Sequence, residues 1–143
     1  MNIVDLHVHS TKSDGSYTPS ELVEHAIEKG LSAFALTDHD TTAGIDEAIA
    51  AGKPIEVIPG IEFSSEYEGR DIHIVGLYLD YKSDFFQRRL VNFVNGRIMR
   101  NQEMCRRLQE HGVAITYEEL VAEFPGSVIT RAHYARYLLS HGY

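Results

Sequence analysis

The stretch "AFALTDHD", Ala33 to Asp40, decides the fold. Its first four residues are apolar with no polar alternation, the pattern of a strand in a parallel sheet covered on both faces. Polarity then switches abruptly at Thr37-Asp38-His39-Asp40, and parallel α/β sheets carry their functional groups at such carboxyl ends. Upstream, Ile3 to His7 reads as a short buried strand. The segment "TPSE" follows, with Thr18 as N-cap, Pro19 at the first helical position and Glu21 closing a capping box. That helix is expected to reach Lys29 and stop at Gly30. Downstream, Ala43 to Ala51 reads as a second helix ending at Gly52. "IEVIPGIEFS" reads as a third strand, and Ile72 to Leu79 as a fourth, hairpinned to the third through the turn "YEGRD". Alternating strands and helices predict an α/β fold with right-handed crossovers.

After Leu79 the texture changes. From Ser83 to Gly112 apolar residues recur at helical spacing (Phe86, Leu90, Phe93, Val94, Met104, Leu108), with a kink or break expected near Gly96. Thr116 and Glu119 form a capping box for a short helix that stops at Pro125-Gly126, and Thr130 caps a last helix from Arg131 to His141. The expected division is residues 1–81 as the α/β part and residues 82–143 as a helical subdomain.

Composition narrows the function classes. An apolar fraction of 43% in 143 residues suits one globular domain, and no run approaches a membrane span. The start "MNIVDLHVHS" lacks the pattern of a signal peptide, and the lone Cys105 precludes an internal disulfide, so a cytoplasmic location is expected. A formal charge of −8 argues against a broad nucleic-acid-binding surface, though bound cations can reverse a local field. No membrane partner is expected, and the sequence leaves the oligomeric state open.

The eight histidines fall unevenly. In "DLHVHSTKSDG", His7 and His9 are two apart on a strand and so share a face, with Asp14 in the loop beyond. Asp38 and His39 follow strand two, and Glu62 ends strand three. His73, near the start of strand four, reaches the same mouth if the hairpin forms. Imidazoles and carboxylates without thiolates suit Zn, Mn or Fe. His25, His111 and His141 lie in or after helices and have no assigned role.

"DLHVHSTKSDG", "LTDHDT", "GIEFS" and "HIVGL" together resemble successive motifs of the PHP (polymerase and histidinol phosphatase) superfamily of metal-dependent phosphoesterases. "GRIMRNQEM" and "ITRAHYARYLL" resemble the helical insertion of the branch containing nucleoside 3′,5′-bisphosphate phosphatases and 5′-3′ exoribonucleases. The resemblance implies a distorted β/α barrel holding two or three divalent ions, of which this chain would supply the first half. The late ligands, a His and then an Asp and His, would lie beyond Tyr143. It implies that His7, His9 and Glu62 hold one ion, that Glu62 bridges to a second bound by His73, and that Asp14 and His39 hold a third. Asp38 would orient its neighbours from behind. Thr130, Arg131 and His133 would contact substrate phosphate, with Arg97 and Arg100 as a further basic pair. The implied reaction is in-line attack of a metal-activated water on a small phosphorylated substrate, a nucleotide or short RNA end, with no catalytic group beyond the ligands. The alternatives are a histidinol-phosphate-type phosphatase, an amidohydrolase-type metallohydrolase, and a non-catalytic metal-binding module.

Overall fold

The computed structural model describes residues 3–143, so the first two residues of the expected α/β part lie outside it. The elements run β1 (Val4–Val8), α1 (Pro19–Glu28), β2 (Ala33–Leu36), α2 (Ile45–Ala51), β3 (Glu56–Tyr67), β4 (Arg70–Leu77), α3 (Asp84–Glu110), α4 (Tyr117–Glu123) and α5 (Arg131–Ser140). β1, β2 and β3 are parallel, and β4 adds antiparallel to β3. The strand order is β1-β2-β3-β4, in a sheet curled as half a barrel.

β2 shows why its sequence lacks alternation. Phe34 and Leu36 pack under the helices against Val23, Ala26, Ile45 and Ala48. Ala33 and Ala35 face the opposite side with Ile58. Both faces are covered, so neither tolerates a polar side chain. Burial of each large residue there contributes roughly 1.5–3 kcal/mol.

β1 differs from the buried strand expected. Val4 is 51% exposed and Leu6 43%, because β1 pairs with β2 alone and no second neighbour covers it. β3 is a 12-residue strand, parallel to β2 through Pro59 and antiparallel to β4 from Gly60 onward. The hairpin turns at Glu68-Gly69, both with positive φ (51° and 73°), the left-handed pair whose twist matches the flanking strands.

α3 runs unbroken through Gly96 for 27 residues, against the expected break. A glycine costs a helix only about 1 kcal/mol, too little to interrupt one anchored by packing at Leu90, Arg97, Asn101 and Cys105. Cys105, Ile115, Leu120, Ile129, Tyr134 and Tyr137 form a hydrophobic cluster separate from those around β2. α4 begins with the Thr116–Glu119 capping box. α5 uses His133 in the glutamate's place, its Nδ1 accepting the Thr130 N–H at 3.0 Å. Among the described residues no helix is long and apolar enough to cross a membrane.

Candidate metal centre

The centre forms past the ends of β1 and β2 and midway along β3, just beyond the point where β3 leaves β2 for β4. Glu62 therefore lies inside its strand and does not end it as expected, because the hairpin with β4 extends β3 to Tyr67. In β1 the pairing register slips between Asp5 and Val8, three steps on β1 against two on β2, so His7 sits in a bulge that re-aims it. Thr37 repairs the irregular edge: its Oγ1 accepts from the Val8 N–H at 3.1 Å, and its own N–H donates to Val8 O at 2.8 Å. Past β2 the chain stays beside β3, with Glu62 N–H donating to Asp38 O and Asp40 N–H donating to Glu62 O. His39 and Glu62 are thereby bridge partners. Asp40 then turns the chain away with φ +51°, a left-handed conformation that Asp tolerates better than most residues. On the hairpin, Ser64 pairs with His73, so His73 and Glu62 share one face of the antiparallel ladder.

The result is a buried carboxylate ringed by imidazoles. Glu62 Oε2 lies 2.8 Å from His7 Nε2 and 2.9 Å from His9 Nε2, while Oε1 lies 2.7 Å from His73 Nδ1. His39 Nδ1 stands 3.5 Å from Glu62 Oε2, and its Nε2 stands 3.5 Å from Asp14 Oδ2. Asp14 Oδ1 is 3.4 Å from His9 Nδ1. The six side chains expected as ligands thus converge in three overlapping groups: His7–His9–Glu62, His9–Asp14–His39 and His39–Glu62–His73. Within each group the donor atoms lie inside 4.8 Å of one another.

The electrostatics agree with the geometry. Burial would raise the Glu62 carboxyl, yet the hydrogen bonds with His7 and His73 and the electrostatic influence of the surrounding imidazoles outweigh it and hold it below the usual range. Burial lowers the His39 imidazole, with His9 and Arg97 adding to that against the opposing pull of Asp14 and Glu62. His39 is thereby biased toward the neutral imidazole, the form able to bind a cation. Its Nδ1 is buried without a hydrogen-bond partner, 3.5 Å from Glu62 Oε2. Buried polar atoms are seldom left so unless something else binds them. Donor chemistry, convergence and the orphaned nitrogen all fit divalent cations.

Asp38 touches no imidazole. Its Oδ1 accepts from Ser10 N–H at 2.7 Å and Ser13 Oγ at 2.6 Å, and its Oδ2 accepts from Ser10 Oγ at 2.6 Å. It acts on the ligands through the 10–13 loop, since Ser13 Oγ lies 3.3 Å from His9 Nδ1. Gly15 lets that loop fold back on β1, because a Cβ there would lie 2.1 Å from His9 O. Sequence reasoning missed Ser10, Ser13, Asp40 and Ser64. Polar residues in a loop leave no periodic signal, and what marks these is a contact across the fold.

A cavity of about 210 Å³ opens beside the ligands, lined among others by Asp14, His39, His73, Arg100, Asn101 and Arg131. Arg131, 76% exposed, lies 2.8 Å from Asp71 Oδ2, and Arg100 lies 3.8 Å from Asp71 Oδ1. Arg97 and Thr130 also contribute to the wall, but Arg97 is only 8% exposed and is held by Asp40, Ser64 and the Ile129 carbonyl. Thr130 Oγ1 accepts from Ala132 N–H as the cap of α5. His133 does not line the cavity; it is 1% exposed, bonded to Thr130 and set edge-on to Phe124.

The chain is similar to several known proteins. The chain is 46% identical over 140 residues to a 5′-3′ exoribonuclease of Haemophilus influenzae, covering 96% of this chain and 51% of that protein. It is 35% identical over 143 residues to a 3′,5′-nucleoside bisphosphate phosphatase of Chromobacterium violaceum, covering 97% and 50%. A Chromobacterium violaceum structure described as an amidohydrolase with bound sulfate and no metal superposes with a TM-score of 0.87 at 34% identity, covering 97% of this chain and 50% of that one. The chain spans about half the length of the relatives it matches. Residues 5–137 match the family model for the PHP domain. The chain belongs to the PHP domain family.

Proposed function

We propose that this chain bears the first part of the ligand set of a metal-dependent phosphoesterase acting on nucleotides, either nucleoside 3′,5′-bisphosphates or the 5′ ends of short RNA. The observation that carries the reading is the Glu62 carboxylate enclosed by His7, His9, His39 and His73 beside a cavity lined by Arg97, Arg100 and Arg131. His7, His9, Asp14, His39, Glu62 and His73 hold the ions, of which Mn, Zn and Fe suit the donors. Bound cations would supply a water of lowered pKa and positive charge against the phosphoryl oxygens. The chain's own residues do the rest. Arg100 and Arg131 bind a phosphate in bidentate, charge-assisted fashion once it displaces Asp71. Glu62 and Asp14, as carboxylates, hold the imidazoles oriented toward the mouth. Residues 1–81 supply this barrel part and residues 82–143 the subdomain that lines the substrate side.

The names of the Haemophilus and Chromobacterium relatives support a nucleotide or RNA substrate, and the sulfate in the structural neighbour supports an oxyanion site in this fold. The test is a substrate panel with the intact protein and added Mn. Bisphosphonucleosides, 5′-phosphorylated oligoribonucleotides and histidinol phosphate are compared for wild type, His9→Ala and Glu62→Ala. Release of phosphate or mononucleotide by wild type and its loss in both variants is expected. Unaltered turnover in either variant refutes the scheme, and metal binding without any hydrolysis supports a non-catalytic module instead.

A further inference from the structure

We propose that Arg97 is a positioning residue that seats His39, and with it the two ligand groups containing His39, while leaving the His7–His9–Glu62 group untouched. The inference rests on the metal-centre reading above.

Arg97 comes from the middle of α3 and is 8% exposed, and its partner Asp40 is 1% exposed. Its Nε donates to Asp40 Oδ2 at 2.8 Å, Nη1 donates to Ile129 O at 3.2 Å, and Nη2 reaches Ser64 Oγ. Each partner adjoins the centre. Asp40 follows His39 directly, Ser64 lies opposite His73 in the ladder, and Ile129 precedes the cap of α5. A planar fork with several fixed donors can hold three such segments at once, which a single ammonium cannot.

The need for such a clamp follows from His39 itself. A metal-binding histidine is usually oriented by a hydrogen bond from its second ring nitrogen. Here Nδ1 has no hydrogen-bond partner, and Nε2 comes no closer than 3.5 Å to Asp14, so neither nitrogen fixes the ring. Its placement therefore falls to the backbone, which at Asp40 adopts a left-handed conformation (φ +51°) that L residues rarely hold unaided. Three bonds hold it: Asp40 N–H to Glu62 O at 3.0 Å, Ser64 N–H to Asp40 Oδ1 at 2.9 Å, and Arg97 to Asp40 Oδ2. The β1 side is fixed independently, with His7 N–H donating to Asp5 Oδ1 and Val8 bonded to Thr37. Among the described residues, the one link from that group to the Arg97 pair is the backbone bond from Asp40 N–H to Glu62 O, which both variants of the pair retain.

The test titrates the metal-free intact protein with Mn(II), following free Mn by electron paramagnetic resonance and binding by calorimetry. Arg97→Lys keeps the charge and loses the fork. Asp40→Asn keeps the left-handed backbone and the Ser64 bond and loses the carboxylate, a second variant from the other side of the pair; Arg97→Lys, which keeps both charges, is the milder of the two. In both, one class of Mn site is expected to keep wild-type affinity while the other weakens by about tenfold or more. Adding His7→Ala to either variant is expected to remove the remaining class. Equal weakening of every class, or wild-type binding throughout in a folded variant, overturns the inference and leaves the metal centre standing. Absence of Mn binding in the wild-type protein overturns the metal-centre reading and this inference together.

Discussion

Replacing Asp38 tests whether a buried carboxylate, and not an imidazole, organises the loop that carries Asp14. Asp38 is 2% exposed and accepts three hydrogen bonds of 2.6–2.7 Å, from Ser10 N–H, Ser10 Oγ and Ser13 Oγ. Asp38→Ala leaves all three donors facing a cavity. Hydrogen bonds to a charged group contribute about 1.5–3 kcal/mol each. Two of the three donors are hydroxyls that can rotate, and removing the charge also relieves its desolvation, so the loss should fall near 3–5 kcal/mol, as when one member of a buried ionic contact is removed. Asp38→Asn keeps an acceptor for Ser10 N–H and Ser13 Oγ, and Ser10 Oγ can turn to accept from the new amide. Its cost should be about 1–2 kcal/mol. Urea unfolding of the metal-free variants measures both values, and Mn titration reports the ligands. Because Ser13 Oγ lies 3.3 Å from His9 Nδ1, the alanine variant should also bind Mn about 10–100-fold more weakly. An alanine variant within about 1 kcal/mol of wild type would mean that the loop is held by other contacts and that this account of Asp38 is wrong.

Three further outcomes are expected. Burial lowers the His133 and His39 imidazoles below their ordinary 6.5, so the unfolded chain binds more protons than the folded one just below that pH. Stability of the metal-free protein should therefore fall as pH drops below 6.5, at no more than about 1.4 kcal/mol per pH unit for each histidine. His133→Gln should flatten that slope between about pH 6.5 and 5, above the range in which Glu62 is protonated, and an unchanged slope would exclude His133 as a source. Arg131→Ala should leave the unfolding midpoint almost unmoved, since its ion pair with Asp71 is exposed, yet raise KM for a bisphosphonucleoside about tenfold; an unchanged KM would remove Arg131 from the substrate site. Mn at about 100 times its dissociation constant should stabilise the protein by about 2.7 kcal/mol, reversed by a chelator, whereas an unshifted midpoint would mean that folded and unfolded chains bind Mn alike.

What the sequence determined by itself was everything governed by periodicity and local chemistry. The unalternated run Ala33–Leu36 declared a strand covered on both faces, and Thr18-Pro19 with Glu21 placed the start of α1, because capping and burial act within a few residues. That His7, His9 and His39 would lie near one another was legible for the same reason, since strand ends in an α/β sheet share one mouth, whereas Glu62 and His73 are brought there by the β3–β4 hairpin. Only the tertiary structure decided what depends on contacts between distant segments. β1 lies exposed because it has one neighbour, a property of sheet order that its own composition does not carry. Gly96 leaves α3 whole because packing along the helix outweighs its weak intrinsic cost. Arg97 is buried and bonded to Asp40, a partner identifiable only once α3 is seated, whereas the bond from Thr130 N–H to His133 lies within one turn and only its burial against Phe124 is a tertiary matter. A side chain's role follows from what it touches, and contacts between residues 57 positions apart, as Arg97 and Asp40 are, have no local signature.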